Sequence, residues 1–460
     1  MQPTRHLKSF TLLYSRNFFL LLLAITLSGC QFPGMGKKDD QAVYDSQNPC
    51  VVLALPNSGP YSAITSRIKR GAALAAEALK KNGRTVRMEE IDTENPNWLN
   101  SIAQLPAECA VVGGPLQEKT YLQARSSGIF AKKVFFAFVP NLQDEDEGKI
   151  AWKFFPSPED QANALIRFVT EDLNIRSFGA FYPDDEYGKK MTAIFRKALE
   201  KQHLTLTSAA YDPKAPRTWA QSAQTLINPY MAEDGKTPIP QTMFEAVFLP
   251  DSWKQMSNIA DSFVYNGEDR LVMLGPMLWE QGIGSKKIAN SQKFALAVFP
   301  GAWRQTVLPE ALKNANPDFW MALGYDFLNF AVNMGYVKPD GQQVARKAQG
   351  ASSIIRALAP IRWNSEGKAA QNMYIFQVGP SGVMAANKNA LLQSRSNIAE
   401  KAALRMQGQQ EEPVTEEVVL TPPASENIAP PPKPAPAQPG SPALSPVPQP
   451  SYKLRLPVKR

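Results

Sequence analysis

Between about residues 48 and 406, short runs of β-branched and aromatic residues alternate with stretches whose apolar positions recur every three or four residues. That alternation predicts strands separated by amphipathic helices, the pattern of a parallel α/β architecture. Strands are expected at 51–55, 85–91, 109–112, 134–139, 177–182, 204–209, 246–249 and 271–274. Helices are expected at 63–79, 118–126, 158–173, 189–201, 252–264, 317–334 and 343–358. The aromatic-rich helix 317–334 invites a ligand-binding reading, but rings at helical spacing point to core packing. Near the end, 363–384 reads as a strand pair turning at Gly379-Pro380-Ser381-Gly382.

Some 350 residues exceed what one core usually serves, so two doubly wound parallel-sheet lobes are expected. The lobe change is placed near 152–158, where Phe154-Phe155-Pro156-Ser157-Pro158 interrupts regular structure. No repeat of 20–50 residues is visible.

The ends break the pattern. Residues 18–27 are mostly apolar, preceded by Arg5, Lys8 and Arg16, with no acidic residue before Asp39. This describes a secretory signal peptide, and the run is shorter than the ~20 residues a membrane span needs. Leu27-Ser28-Gly29-Cys30 resembles the lipobox of bacterial lipoproteins. The resemblance implies cleavage after residue 29, acylation of Cys30 and two-chain anchoring in a membrane. Gln31 in place of Asp favours outer-membrane sorting on the same resemblance. Residues 30–47 then read as a polar tether. At the other end, 14 of the 39 prolines fall within 413–460, so 407–460 reads as a disordered Pro-rich tail. It closes on Tyr452-Lys453-Leu454-Arg455-Leu456-Pro457-Val458-Lys459-Arg460, either a soluble end or a recognition tip.

Charge and residue inventory narrow the chemistry. Loss of residues 1–29 leaves 47 basic and 42 acidic side chains, a net +5 with no basic block of nucleic-acid type. The expected chain keeps one histidine, His203, so His-based zinc sites and Ser-His-Asp triads cannot be assembled. No enzyme, metal or cofactor is expected. Cys50 and Cys109 each open a predicted strand in a compartment that permits disulfides. If the strands are adjacent and parallel the two can bridge; two buried free thiols are the alternative.

Candidate ligand chemistry gathers where strands run into helices. Leu55-Pro56-Asn57-Ser58-Gly59-Pro60-Tyr61 joins a strand to a helix N-terminus, where free N–H groups can receive an anion. That turn, the Gly/Ala-rich helix from Arg70-Gly71-Ala72, the segment Tyr182-Pro183-Asp184-Asp185-Glu186-Tyr187-Gly188 and the segment Val247-Phe248-Leu249-Pro250-Asp251 together resemble type I periplasmic binding proteins of the leucine-binding kind. The resemblance spans roughly 48–400 and implies two lobes, three crossovers and an interlobe cleft. Asn57, Ser58, Tyr61, Gln117, Tyr187, Asp251 and Trp279 are the expected cleft residues. Ser58 and the Tyr61 backbone would receive an anionic group, and Gln117 would donate. Tyr187 and Trp279 would stack on a ring, and Asp251 would accept from an ammonium or hydroxyl.

Two departures stand out. Amino-acid binders of this fold carry hydroxyls after the third strand, whereas Gly113-Gly114-Pro115-Leu116-Gln117 has none. The acidic residue that follows a Gly-Pro in those binders is replaced by Met277 after Gly275-Pro276. With the lipobox, Gly114-Pro115-Leu116 and Leu274-Gly275-Pro276-Met277-Leu278-Trp279 look like the branch of outer-membrane lipoprotein activators of penicillin-binding proteins. The resemblance implies a non-enzymatic regulator of peptidoglycan synthesis, lipid-anchored in the periplasm, with a peptidoglycan synthase or wall polymer as partner. Capture of an amino acid or small polar solute for an ABC transporter is the alternative, and an envelope linker is a third.

Overall fold

The structure, a computed structural model, describes residues 49–284, 288 and 291–407. The expected signal peptide, Cys30, the tether and the Pro-rich tail lie outside the described residues.

The first sheet forms as β1 (Cys50–Leu55), α1 (Ser62–Lys81), β2 (Arg87–Asp92), α2 (Trp98–Gln104), β3 (Val111–Gly113), α3 (Glu118–Ser127), β4 (Val134–Ala137) and β5 (Ala151–Lys153). Its strands are parallel in the order β2-β1-β3-β4-β5, the topology that repeated βαβ units generate. β1 is apolar along its whole length and wholly buried, as a strand covered on both faces should be. Cys50 and Cys109 are joined by a disulfide at an S–S distance of 2.06 Å, tying β1 to the residue two before β3.

The chain then enters the second lobe with α4 (Pro158–Arg167), β6 (Phe178–Pro183), α5 (Glu186–Glu200), β7 (Leu206–Tyr211) and α6 (Trp219–Ile227). A small hairpin, β8 (Tyr230–Met231) and β9 (Pro238–Ile239), precedes β10 (Ala246–Phe248), α7 (Met256–Tyr265), β11 (Val272–Leu274), α8 (Leu278–Ile283) and β12 (Ala297–Gly301). A second crossover leads to α9 (Glu310–Lys313), α10 (Phe319–Met334) and α11 (Gly341–Ala351), followed by the hairpin β13 (Ile361–Trp363) and β14 (Ala369–Gln371). The third crossover returns to β15 (Tyr374–Gly379), β16 (Gly382–Ala385) and α12 (Lys388–Met406). The second sheet is ordered β16-β15-β12-β11-β10-β6-β7, parallel except for the two antiparallel strands β15 and β16. The α/β class and the two-sheet build expected from the sequence are therefore what the chain adopts.

Several elements differ from expectation for local reasons. α4 stops at Arg167 and passes into a π-helical turn over Phe168–Asp172. α5 begins three residues early because Asp185 caps it, accepting from the Gly188 N–H at 2.7 Å. Trp363 belongs to β13 and not to the terminal strand pair, which is β15 with β16. The aromatic face of α10 is core: Phe327 and Phe330 are fully buried against Phe136, Phe138 and Phe154.

The crossovers leave from the carboxyl ends of β5 and β12, so the carboxyl ends of the parallel strands in both sheets face the junction between the lobes. The three connections are themselves hydrogen-bonded. Ala359 N–H donates to the Ala302 carbonyl at 2.6 Å, Gln371 N–H to Asp160 Oδ1 at 3.0 Å, and Gln371 Nε2 to the Ala359 carbonyl at 2.8 Å.

Candidate functional site

On the first lobe, the turn after β1 carries Asn57 and Ser58, both exposed, before a short 3-10 turn over Gly59–Tyr61. Gly59 takes a φ of +70°, which its missing Cβ permits. The turn is held from below and from the side. Thr65 Oγ1 donates to the Pro56 carbonyl at 2.6 Å, and Asn57 N–H donates to Asp92 Oδ1 at 2.9 Å. Asp92 Oδ1 also accepts from Glu94 N–H at 3.0 Å, and Gln117 Nε2 contacts Glu94 Oε1 at 3.4 Å. Asn57 and Gln117 are thus linked through Asp92 and Glu94 at the end of β2, which the sequence reading did not single out. Tyr61 is half-buried and packs against the first lobe's core. Between Gly113 and Gln117 the chain presents Pro115 and Leu116, and Leu116 packs on that same core. No hydroxyl enters this wall from the third strand's turn.

On the second lobe, Tyr187 and Asp251 do come together. Asp251 Oδ2 accepts from the Tyr211 hydroxyl at 2.6 Å, and Oδ1 accepts from Ser252 N–H at 2.6 Å. Burial raises the Asp251 carboxyl above its ordinary range and nearby Asp185 adds to the rise, against the two hydrogen bonds. Burial likewise raises the Tyr187 phenol, with the charges of Asp251 and Asp185 adding. Burial, with the Asp251 charge, raises the Tyr211 phenol as well, so both phenols stay protonated, and Tyr211 is a donor to which no feature of the sequence pointed. Its partner lies 40 residues away. Asp184 pairs with Lys189 at 2.6 Å on the exposed rim.

Trp279 does not line the cleft as expected. It is fully buried, edge-on to Trp253 with centroids 5.3 Å apart, and its Nε1 donates to the Asp251 carbonyl at 2.9 Å. A Cβ on Gly275 would lie 2.1 Å from its ring, so the Gly-Pro turn closes directly over the indole. The ring supports the loop that carries Asp251 and offers no stacking face. Nearby, Met277 N–H donates to Gln161 Oε1 at 3.0 Å. Glu280 accepts from Trp303 Nε1 at 3.1 Å, and burial pushes its carboxyl up to about 7 against that bond.

Among the described residues no hydrogen bond or ion pair joins the Asn57–Gln117 wall to the Tyr187–Asp251 wall. Among them also, no three His, Cys, Asp or Glu side chains cluster so as to hold a metal ion, and no helix is long and apolar enough to cross a membrane. What the two walls offer is hydrogen bonding and one buried acid.

Residues 51–226 match the family model for periplasmic binding proteins. No curated protein matches the sequence. Among solved structures, LpoA from Haemophilus influenzae superposes with a TM-score of 0.54 at 15% identity, over 74% of this chain and 58% of that one. The LpoA C-domain from the same organism, described as a regulator of PBP1A, gives 0.54 at 14% identity over 74% and 100%. A branched-chain amino acid ABC transporter structure from Rhodospirillum rubrum gives 0.55 at 13% identity over 73% and 99%. At these identities the likeness is one of fold, and this chain spans little more than half of the longer LpoA chain. The family match over residues 51–226, with the two-lobed arrangement that continues past it, gives this chain the fold of the periplasmic binding proteins.

Proposed function

We propose that the protein is a non-enzymatic, lipid-anchored regulator or adaptor of peptidoglycan synthesis, held in the periplasm at the outer membrane through Cys30. The observation that carries this reading is that the positions expected to grip an amino acid are absent or already used by the chain itself. The first lobe's third-strand turn offers Pro115 and Leu116 where hydroxyls would be needed. Asp251 is engaged by Tyr211 and Ser252, and Trp279 is sealed beneath Gly275. A zwitterion would thus leave charges without partners, which is costly in a closed cleft. The fold it shares with a domain described as a regulator of PBP1A is consistent with a protein partner. Retention of the protein on an immobilised peptidoglycan synthase, with a change in that synthase's rate, is the expected result. Normal synthase activity and wall composition in a strain lacking the protein would overturn the reading.

A second reading, capture of a small solute for a transporter, is favoured by the half-buried Tyr187 and Asp251 on one wall, with the buried Tyr211 hydroxyl behind Asp251. Thermal shifts with amino acids, polar solutes and muropeptides separate the two. A ligand at 100-fold its dissociation constant adds about 2.7 kcal/mol. A shift with a free amino acid favours solute capture, and one with muropeptides alone favours a wall sensor.

A further inference from the structure

The amino ends of the second lobe's strands, away from the cleft, carry a pocket of about 270 Å³ between α7, the approach to β11 and α12. Its lining includes Phe263, Val264, Leu271, Met273, Leu296 and Ile398. Val264 is 51% exposed and the adjoining Tyr265 is 75% exposed, so an apolar face continues outward from the pocket. Asp269, which also lines it, pairs with Arg405 of α12 at 2.6 Å through Oδ2. Its Oδ1 is buried and takes no hydrogen bond from any described residue. α12 therefore ends on the rim of an apolar pocket.

We propose that this pocket seats the chain's own segment Val418-Val419-Leu420. Three features of the molecule select it. The first is reach: Ile398 lies nine residues before Gln407, about 14 Å back along the helix, and the eleven residues from Gln407 to Val418 can span up to about 36 Å. The second is chemistry: Val418-Val419-Leu420 is an unbroken apolar run that matches the apolar side chains lining the pocket. The third is charge. The segment before it carries Glu411, Glu412, Glu416 and Glu417, with no basic residue until Lys433. Of three ion pairs at the pocket, the cation is the more exposed partner in two, Arg405 over Asp269 (47% against 28%) and Arg270 over Glu268 (31% against 1%), and the acid in the third, Asp261 over Lys293. The basic terminal segment 452–460 would meet those cations with like charge.

Hydrogen exchange on the full chain tests this. Replacing the run by aspartates (Val418→Asp, Val419→Asp, Leu420→Asp) should speed exchange in 259–273 and 394–407 about tenfold, leaving the first lobe unchanged. Val264→Asp, at a half-exposed position, should speed exchange of 411–422 in the same way. Equal exchange in the parent and the triple variant would overturn the proposal. So would protection that grows with protein concentration and survives the triple substitution, since a second copy would then cover the face.

Discussion

Asp326 sits fully buried in the middle of α10 and accepts from the backbone N–H groups of Arg356, Ala357 and Leu358, the last at 2.7 Å. One side chain thus satisfies the donors of a whole turn where no secondary structure can. Asp326→Ala would strand them, and a loss on the order of 3 kcal/mol or more is expected in urea unfolding. Glu280 is a different case. Its carboxyl ordinarily titrates at 4.5 but is pushed up to about 7 by burial, so the folded protein holds the proton more tightly than the unfolded chain. Stability from this group is full below about pH 4.5 and is lost as the pH rises through 7. Glu280→Gln, which keeps an acceptor for Trp303, should flatten that decline when melting temperature is followed from pH 5 to 8. Neither acid stands out in the sequence, because each is defined by partners that lie 23 to 32 residues away. Asp251 was singled out in the sequence because it lies three residues past a strand, whereas its partner Tyr211 was not. Trp279 was legible as important but not in its direction, which Gly275 decides by leaving room for the ring.

Among elements, the contact of α1 with α10 is closest. A Cβ on Gly71 would lie 1.9 Å from the Met321 carbonyl oxygen, and one on Gly324 would lie 1.9 Å from that of Ile68. The two glycines let the helix backbones meet, each giving way to the other helix. Gly324→Ala should force the pair apart and cost about 1–3 kcal/mol by denaturant titration, the range of overpacked cores. Gly71 sat in the Gly/Ala-rich helix that carried the family resemblance, so half of this contact was readable. Its counterpart was not, since nothing in a sequence says which helix 250 residues on will cross it. The same limit explains the strands that periodicity passed over. β5 (Ala-Trp-Lys) and β14 (Ala-Ala-Gln) carry no β-branched residue, unlike the equally short β3, β10 and β11, and β12 contains Pro300. Long amphipathic helices were legible because their patterns run for many residues, and the legible buried parallel strands because they are unbroken apolar runs.

For the molecule as a whole, the two-sheet plan was legible from the alternation of strands and helices, whereas the route of α10 and α11 back to the first lobe was not. Those helices build the first lobe's core although they follow the second lobe's strands. Replacing Cys50 and Cys109 by serine should lower the stability of the domain by about 2–4 kcal/mol, read as a fall in melting temperature that matches the parent under reducing conditions. The bridge has a second consequence. Pro49 precedes β1 at the far end of the first lobe, and α12 ends beside Asp269 at the far end of the second. A pull between the two flanking segments would therefore run along the full length of the domain, loading the three crossovers together and drawing on β1 in shear between β2 and β3. The cystine stands at the point where that tension enters. It passes the load from β1 to the β3 side of the sheet, so that β1 cannot be drawn out from between β2 and β3 without pulling on the chain that leads into β3.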